Sequence, residues 1–418
     1  MKAEIITIGD ELLIGQIINT NQAFIAEKLN TVGIYVEHMT TVGDKQEIII
    51  ESFHSALSHS DVVCVTGGLG PTHDDITKDA VCKFFSTDLE MNQPALEHIT
   101  ELMKNRGIPL SETSKNQALV PKGSIVIPNT AGSAPGFMFE RNEKYFFVMP
   151  GVPFEMQEMV TRWVLPFFSK KNTGIVVRHK TLKTTGIAES LLAQKIGSVE
   201  EIIGTDGTTT LAFLPNQMGT KLRLTVIEKN IERAEEKLSN AEARIRSKVN
   251  SYIFSSDERD LEDIIGELFR EQKLTLALAE SCTGGFIAHR ITNVPGSSEY
   301  FMRGFVVYSN QAKVEELNVP LETIVKHGAV SKEVAMAMAE GARKISHTTH
   351  ALSITGIAGP SGGTPEKPVG TAWLGYSDTD TTFALKFNFG EHRIRFKERA
   401  SQAALELLRR KLLKISSQ

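Results

Sequence analysis

The chain has 418 residues, which at roughly 100–200 residues per domain is enough for two to four domains. A net charge of −4 and a pI near 6.3 lack the basic excess of a general nucleic-acid binder. Three cysteines without a CxxC pair, no apolar leader and no run long enough to span a bilayer lead us to expect a cytoplasmic protein without membrane contact.

Residues 1–168 alternate apolar runs with amphipathic stretches. AEIITIG reads as a buried strand, and Ile25, Leu29 and Val32 then recur at helical spacing. DVVCVT (61–66) is a second buried strand. It runs into GGLGPTHDD and a helix carrying Val81, Phe84 and Phe85. KYFFVMP is a later strand, and Pro153 suits the first position of the helix that follows. The alternation implies a mostly parallel sheet covered on both faces.

Residues 169–256 form a small α+β module. RHKTLKTTG is one strand, and TTLAFLPNQMGTKLRLTVIE is a hairpin with Pro215, Asn216 and Gly219 in its turn. The charged helix ERAEEKLSNAEARIRSKV reads as a solvated face. SSDERD (255–260) reads as a linker. From 257 the chain alternates again: helix LEDIIGELFREQ, strand LTLALAE, buried strands FVVYS and HALSITG, and a closing helix ERASQAALELLRRKLL. The fold class is therefore α/β at both ends around an α+β module.

Candidate chemistry lies where strands end. In the last segment, LTLALAE runs into Ser281, Cys282, Thr283, Gly284 and Gly285, where a helix starts. Exposed N–H groups there can hold an oxyanion or a phosphate. The plainer alternative is that Ser281 or Thr283 caps the helix. Cys282 ranks below Ser281 as a nucleophile. Lys313 follows the strand FVVYS; it can serve as a base only if burial or a nearby charge lowers its pKa, and otherwise it is a surface lysine. Thr355 opens a glycine turn with Gly356, Gly359 and Gly362, a candidate anion nest that is not a P-loop. Arg393 and Arg395 precede the last helix and can grip a phosphate.

In the first segment, Gly67, Gly68, Gly70 and Thr72 form a glycine turn suited to a phosphate. Asp74 and Asp75 follow and would repel a bare phosphate, so a bridging cation such as Mg²⁺ makes better sense. Capping by Thr72 or Asp74 is the alternative. Asp10, Asp44 and Glu155 also stand at strand or helix ends, where open α/β sheets bind ligands.

ESCTGG, VPGSS, YSNQAK, GAVS, TGIAGPSGG and KPVGT occur in the order of the PncC, or nicotinamide-nucleotide amidase, family, which the segment 257–418 resembles. The resemblance implies hydrolysis of the carboxamide of nicotinamide mononucleotide without a cofactor. It implies functional positions at Ser281, Tyr308, Lys313, Thr355 and Arg395, with Ser281 as nucleophile and Lys313 as its base, assisted by Tyr308. Amides near Thr283 and Gly284 would hold the oxyanion, and Ser281 could instead position a water. TIGDELLIGQIINTN, GGLGPTHDDIT, PNTAGSAPGF and PGVPFEM make residues 1–168 similar to the molybdopterin-binding fold in its CinA branch. That branch implies an ADP-ribose pyrophosphatase using Mg²⁺, Mn²⁺ or Co²⁺, with Asp10, Asp44, Asp75 and Glu155 handling metal or water. The whole chain resembles the CinA family, whose KH-like domain corresponds to 169–256. That module lacks a GxxG loop, so direct nucleic-acid binding is not expected. The expected partners are pyridine nucleotides, ADP-ribose and a second copy of the chain. The alternatives are an amidase with a non-catalytic pterin- or nucleotide-binding first domain, and a competence or DNA-repair accessory protein.

Overall fold

The computed structural model describes residues 1–70, 72, 75–171, 174 and 176–415. Asp74 lies outside them. The chain divides into two compact units: 1–178 with 226–236, and 179–225 with 237–418.

The first unit is built on a six-stranded sheet. Its strands are β1 (Lys2–Ile8), β2 (Tyr35–Val42), β3 (Val62–Thr66), β6 (Ile125–Ile127), β7 (Gly136–Arg141) and β8 (Lys144–Met149), in the order β2-β1-β3-β8-β7-β6. Two short strands, β4 (Leu89–Met91) and β5 (Leu119–Pro121), pair apart from it. β2, β1, β3 and β8 are parallel, β7 runs against them, and β6 pairs antiparallel with β7 and so runs with the other four. Successive side chains of a strand point to opposite faces, so a strand buried on both sides reads as an unbroken apolar run. Ala3, Ile5, Val62 and Cys64 enter one core with Ile25 and Leu29 of the helix Thr20–Thr31. Ile6, Ile8, Val63 and Val65 enter the other with Ile49 and Phe53 of the helix Gln46–His59 and Val81 of Thr77–Phe85. The chain leaves β1 for β2 on one side and returns through β3 on the other. Open α/β sheets bind ligands at such a reversal, here at the carboxyl ends of β1 and β3.

The middle sheet has the order β10-β11-β9-β12, from β9 (Val176–Thr184), β10 (Thr209–Asn216), β11 (Gly219–Glu228) and β12 (Ile253–Ser255). The hairpin is present, but its turn is Gln217-Met218. Pro215 and Asn216 end β10, and the Asn216 carboxamide oxygen accepts from the Met218 N–H. The stretch read as a linker is ordered. Asp260 and Asp263 form a reciprocal capping box on the helix Leu261–Glu271, and Ser255 bonds to Asp257.

The last sheet comprises β13 (Leu276–Glu280), β14 (Phe301–Val306), β15 (His350–Gly356), β16 (Thr371–Ser377) and β17 (Thr382–Asn388), in the order β14-β13-β15-β16-β17. β14, β13 and β15 are parallel, β16 pairs antiparallel with β15, and β17 pairs antiparallel with β16. Leu276 and Leu278 pack toward the helices Leu261–Glu271 and Arg393–Leu412. Ala277 and Ala279 face Val334 and Met338 of Lys332–Ser346. FVVYS departs from expectation. The strand starts at Phe301, ends at Val306, and forms the sheet's edge with Val306 exposed. Tyr308 therefore falls beyond the sheet.

Candidate active site

Ser281 is the first residue after the interior strand β13. Its N–H donates to Ile354 O at 3.1 Å, which extends the pairing with β15 and fixes the backbone. Lys313 lies in the first turn of the helix Asn310–Leu317, which Ser309 caps by accepting from the Ala312 N–H. The lysine is 1% exposed, and its Nζ stands 3.3 Å from Ser281 Oγ. It also donates to Val307 O at 2.9 Å and to Tyr308 O and Ser309 O at 3.3 Å. Burial lowers its pKa below the ordinary 10.5. Both plain alternatives therefore fail: Lys313 is not on the surface, and Ser281 caps no helix. The helix Phe286–Thr292 has Gly285 at its N-cap with no side-chain cap. Cys282 is a poor competitor, because burial pushes its thiol up to about 12.

The turn between serine and helix corrects one expectation. The buried Glu280 carboxylate reaches across it and accepts from the amides of Ile287, at 3.1 Å, and Ala288, at 2.8 Å. The N–H of Gly284 is committed to Ser281 O. The helix amides and that of Gly284 are therefore not free for an oxyanion. Thr283, fully buried, keeps its hydroxyl without a partner among the described residues. Gly284 (φ 62°) and Gly285 (φ 89°) are left-handed, and a side chain at Gly284 would approach only Lys397 Nζ, at 3.9 Å. Conformation, not crowding, demands glycine there, and the space above stays open for a substrate.

The remaining expected residues divide. Thr355, at the end of β15, is buried, and its hydroxyl donates to Ala329 O at 2.8 Å, pinning the GAVS loop. Tyr308 is exposed, and its phenol accepts from Arg393 Nη2 at 3.1 Å, while Arg393 Nη1 donates to Gly359 O at 3.0 Å. The Tyr308 phenol is thus bonded to Arg393, and what Tyr308 offers the Lys313 amine is its backbone carbonyl. Gly356 and Gly359 answer to packing: a Cβ at Gly356 would meet Thr371 O at 2.8 Å, and one at Gly359 would meet Val369 Cγ1 at 2.6 Å. Gly362 (φ 95°) has only Ile357 near its Cβ position, at 3.7 Å. Arg395 is exposed, and its side chain has no hydrogen bond or ion pair among the described residues. Lys397 is the cation that sequence reasoning missed. It stands beside Gly284 and 5.9 Å from the Phe286 ring centroid. Its signal is the i,i+4 spacing from Arg393, which puts both on one helix face.

In the first unit, Gly67 and Gly68 follow β3 with φ of 115° and 66°. A Cβ on either would collide, with Ile8 O and with Thr77 Oγ1 respectively. The Thr77 hydroxyl donates to Gly67 O at 2.9 Å. Thr77 opens its helix with Ile76 at the N-cap, so Thr72 does not cap it. Asn21 donates to Gly151 O at 2.8 Å and to Thr66 Oγ1 at 3.2 Å, while its own oxygen is buried without a partner among the described residues. The four carboxylates do not converge. Asp10 and Asp44 each accept from the other's N–H, at 3.3 and 2.9 Å. Asp75 accepts from the Thr72 N–H and hydroxyl, and Glu155 from Asn129 Nδ2 at 2.7 Å. A side chain at Gly70 would run into Asp75 and one at Gly132 into Glu155. Among the described residues, no group of three metal-ligating side chains includes any of the four. They do not fit a single cage, but the Asp10–Asp44 pair suits a hydrated hard cation, which takes one or two carboxylates and keeps waters.

A CinA-like protein from Chloroherpeton thalassium is 44% identical over 98% of this chain and 99% of its own length. The chain belongs to the CinA-like family. Another CinA-like protein, from Kosmotoga olearia, is 43% identical over 99% of both chains. Residues 4–170 match the family described as a probable molybdopterin binding domain, 179–255 the damage-inducible protein CinA KH domain, and 258–412 the CinA C-terminal domain. The crystal structure of a CinA protein of unknown function from Thermoplasma acidophilum is 36% identical, with a TM-score of 0.36, over 38% of this chain and 94% of that one. Among the described residues, no helix is long and apolar enough to cross a membrane.

Proposed function

We propose that the second unit hydrolyses the carboxamide of nicotinamide mononucleotide, releasing ammonia and nicotinate mononucleotide. The observation that carries this reading is the 3.3 Å approach of a buried lysine amine to a serine hydroxyl at a strand end. The depressed pKa leaves more of that amine neutral near pH 8 than an ordinary lysine would have. Ser281 Oγ bonds to the carboxamide carbon while its proton passes to Lys313 Nζ. The C–N bond then breaks, the proton goes to the departing nitrogen, and ammonia leaves. Water, deprotonated by the same amine, cleaves the resulting ester and restores Ser281. Arg393 and Lys397 supply cations for the nucleotide phosphate.

The first unit, in the same reading, cleaves the pyrophosphate of ADP-ribose at the reversal beyond β1 and β3, where the turn through Gly67 and Gly68 packs closely on Ile8 O and Thr77 Oγ1. A divalent cation held by Asp10 and Asp44 would neutralise charge on the phosphates.

The decisive experiment measures ammonia release from nicotinamide mononucleotide and AMP release from ADP-ribose with Mg²⁺, Mn²⁺ or Co²⁺. Ser281→Ala should lower the first by at least about 10³-fold and leave the second intact. Asp44→Ala should do the reverse. Full ammonia release by Ser281→Ala ends the amidase assignment.

A further inference from the structure

A second cluster of ligating side chains lies on the first unit, and neither proposed activity uses it. Glu4 stands on β1, His38 on β2, and His59 is the last residue of the helix Gln46–His59. A bulge in the register creates the cluster. Ala3 pairs with Val36 but Glu4 pairs with His38, so the extra residue on β2 brings a histidine, in place of Glu37, opposite the carboxylate. The same sheet face carries Ile6 and Ile8, which the helix Gln46–His59 covers, and the helix ends with His59 over Glu4. His59 Nε2 stands 2.8 Å from Glu4 Oε2, and the two imidazole centroids are 4.6 Å apart. One ligand atom from each of the three residues lies within 4.8 Å of the others. Glu4 is 3% exposed, and the Thr40 hydroxyl donates to its other oxygen at 2.6 Å.

We infer that Glu4, His38 and His59 form a binding site for a first-row transition metal of the Zn²⁺ type. Two imidazoles and one carboxylate oxygen suit such an ion, with water in the open position, and do not suit Mg²⁺ or Ca²⁺. Thr40 occupies Oε1, which fixes Glu4 as a one-oxygen ligand through Oε2 and acts as the outer partner such ligands use. The exposed histidines give the ion a route in. An ion must displace the His59–Glu4 hydrogen bond, and the two atoms need to open only to about 3.3 Å to fit tetrahedral bonds near 2.0–2.1 Å. The site is separate from Asp10 and Asp44. Six residues of extended chain, at about 3.3 Å each, put Glu4 roughly 20 Å from Asp10.

Equilibrium dialysis of the full chain against Zn²⁺, with the bound metal counted, tests the inference. Wild type and Asp44→Asn should each retain one Zn²⁺ through Glu4, His38 and His59. His38→Ala, which breaks no hydrogen bond among the described residues, should bind that ion about 100-fold more weakly. Zn²⁺ should raise the melting temperature of wild type and not of His38→Ala. Equal Zn²⁺ binding by wild type and His38→Ala, or no stoichiometric binding by wild type, overturns the site. Ammonia release tests the amidase separately and is expected to stay unchanged in His38→Ala.

Discussion

At the scale of single residues, the candidate chemistry depends on where one amine sits. Three carbonyl oxygens around Lys313 Nζ favour the ammonium, and burial opposes it. The balance lowers the pKa, and in the proposed reaction the neutral amine is the form that would take a proton from Ser281. Turnover should therefore rise with pH and level off below the pKa of 10.5 of an ordinary lysine. The rate of ammonia release from pH 6 to 10 would read this. A flat profile would mean that Lys313 is not the base. The cations make a second case. Arg393 is held on Gly359 and Tyr308, and Lys397 stands over the glycine turn, whereas Arg395 has no such partner. A charged hydrogen bond to a phosphate contributes about 1.5–3 kcal/mol. Arg393→Ala and Lys397→Ala should each raise KM for nicotinamide mononucleotide about 10-fold or more. Arg395→Ala should change it less, and an equal effect of all three would refute the face assignment. Sequence motifs favoured Arg395, because a motif records spacing along the chain and not which side of a helix a side chain occupies.

At the scale of elements, Glu280 shows how a strand can hold the helix after it. Its carboxylate satisfies two helix amides, fixing both ends of the turn that carries Ser281. Glu280→Gln leaves one acceptor oxygen and no charge. It should cost about 1–3 kcal/mol and reduce ammonia release as the turn loosens. Thermal melting and steady-state kinetics would measure both, and an unchanged melting temperature would show the carboxylate to be dispensable. The sequence made some elements legible and hid others, for physical reasons. AEIITIG, DVVCVT and HALSITG announce themselves because strands covered on both faces are apolar throughout. β14 misleads because an edge strand buries only part of its length, so FVVYS marks its end and misses its start. Ser281 and Lys313 lie 32 residues apart, and only the sheet order β14-β13 brings them together. The β2 bulge that sets His38 beside Glu4 leaves no mark in the residue pattern.

At the scale of the whole molecule, the second unit ties its five-stranded sheet to the middle module through buried polar bonds. Gln402, on the long closing helix, donates to Thr185 Oγ1 at 3.0 Å and accepts from Arg290 Nη2 at 2.9 Å. Arg290 is in turn paired with Glu262 at 2.6 Å. Arg409, 2% exposed, donates to Ser251 O at 2.6 Å. Lys183 fastens the stretch 255–260, donating to Glu258 O, Arg259 O and the Asp260 carboxylate. None of these groups touches Ser281 or Lys313. Stability and chemistry should therefore separate. A fragment of residues 257–418 loses Thr185, Ser251 and Lys183, the middle-module partners of Gln402, Arg409 and Asp260. At about 1 kcal/mol for each such bond, offset in part by water reaching the exposed groups, it should melt roughly 5 °C or more below a fragment of residues 179–418. Below its melting transition it should still release ammonia from nicotinamide mononucleotide at a comparable rate. Differential scanning calorimetry and the ammonia assay on both fragments test the two halves of this expectation. Equal melting temperatures would mean that the buried bonds add nothing to the five-stranded sheet. A stable but inactive shorter fragment would mean that the middle module takes part in catalysis.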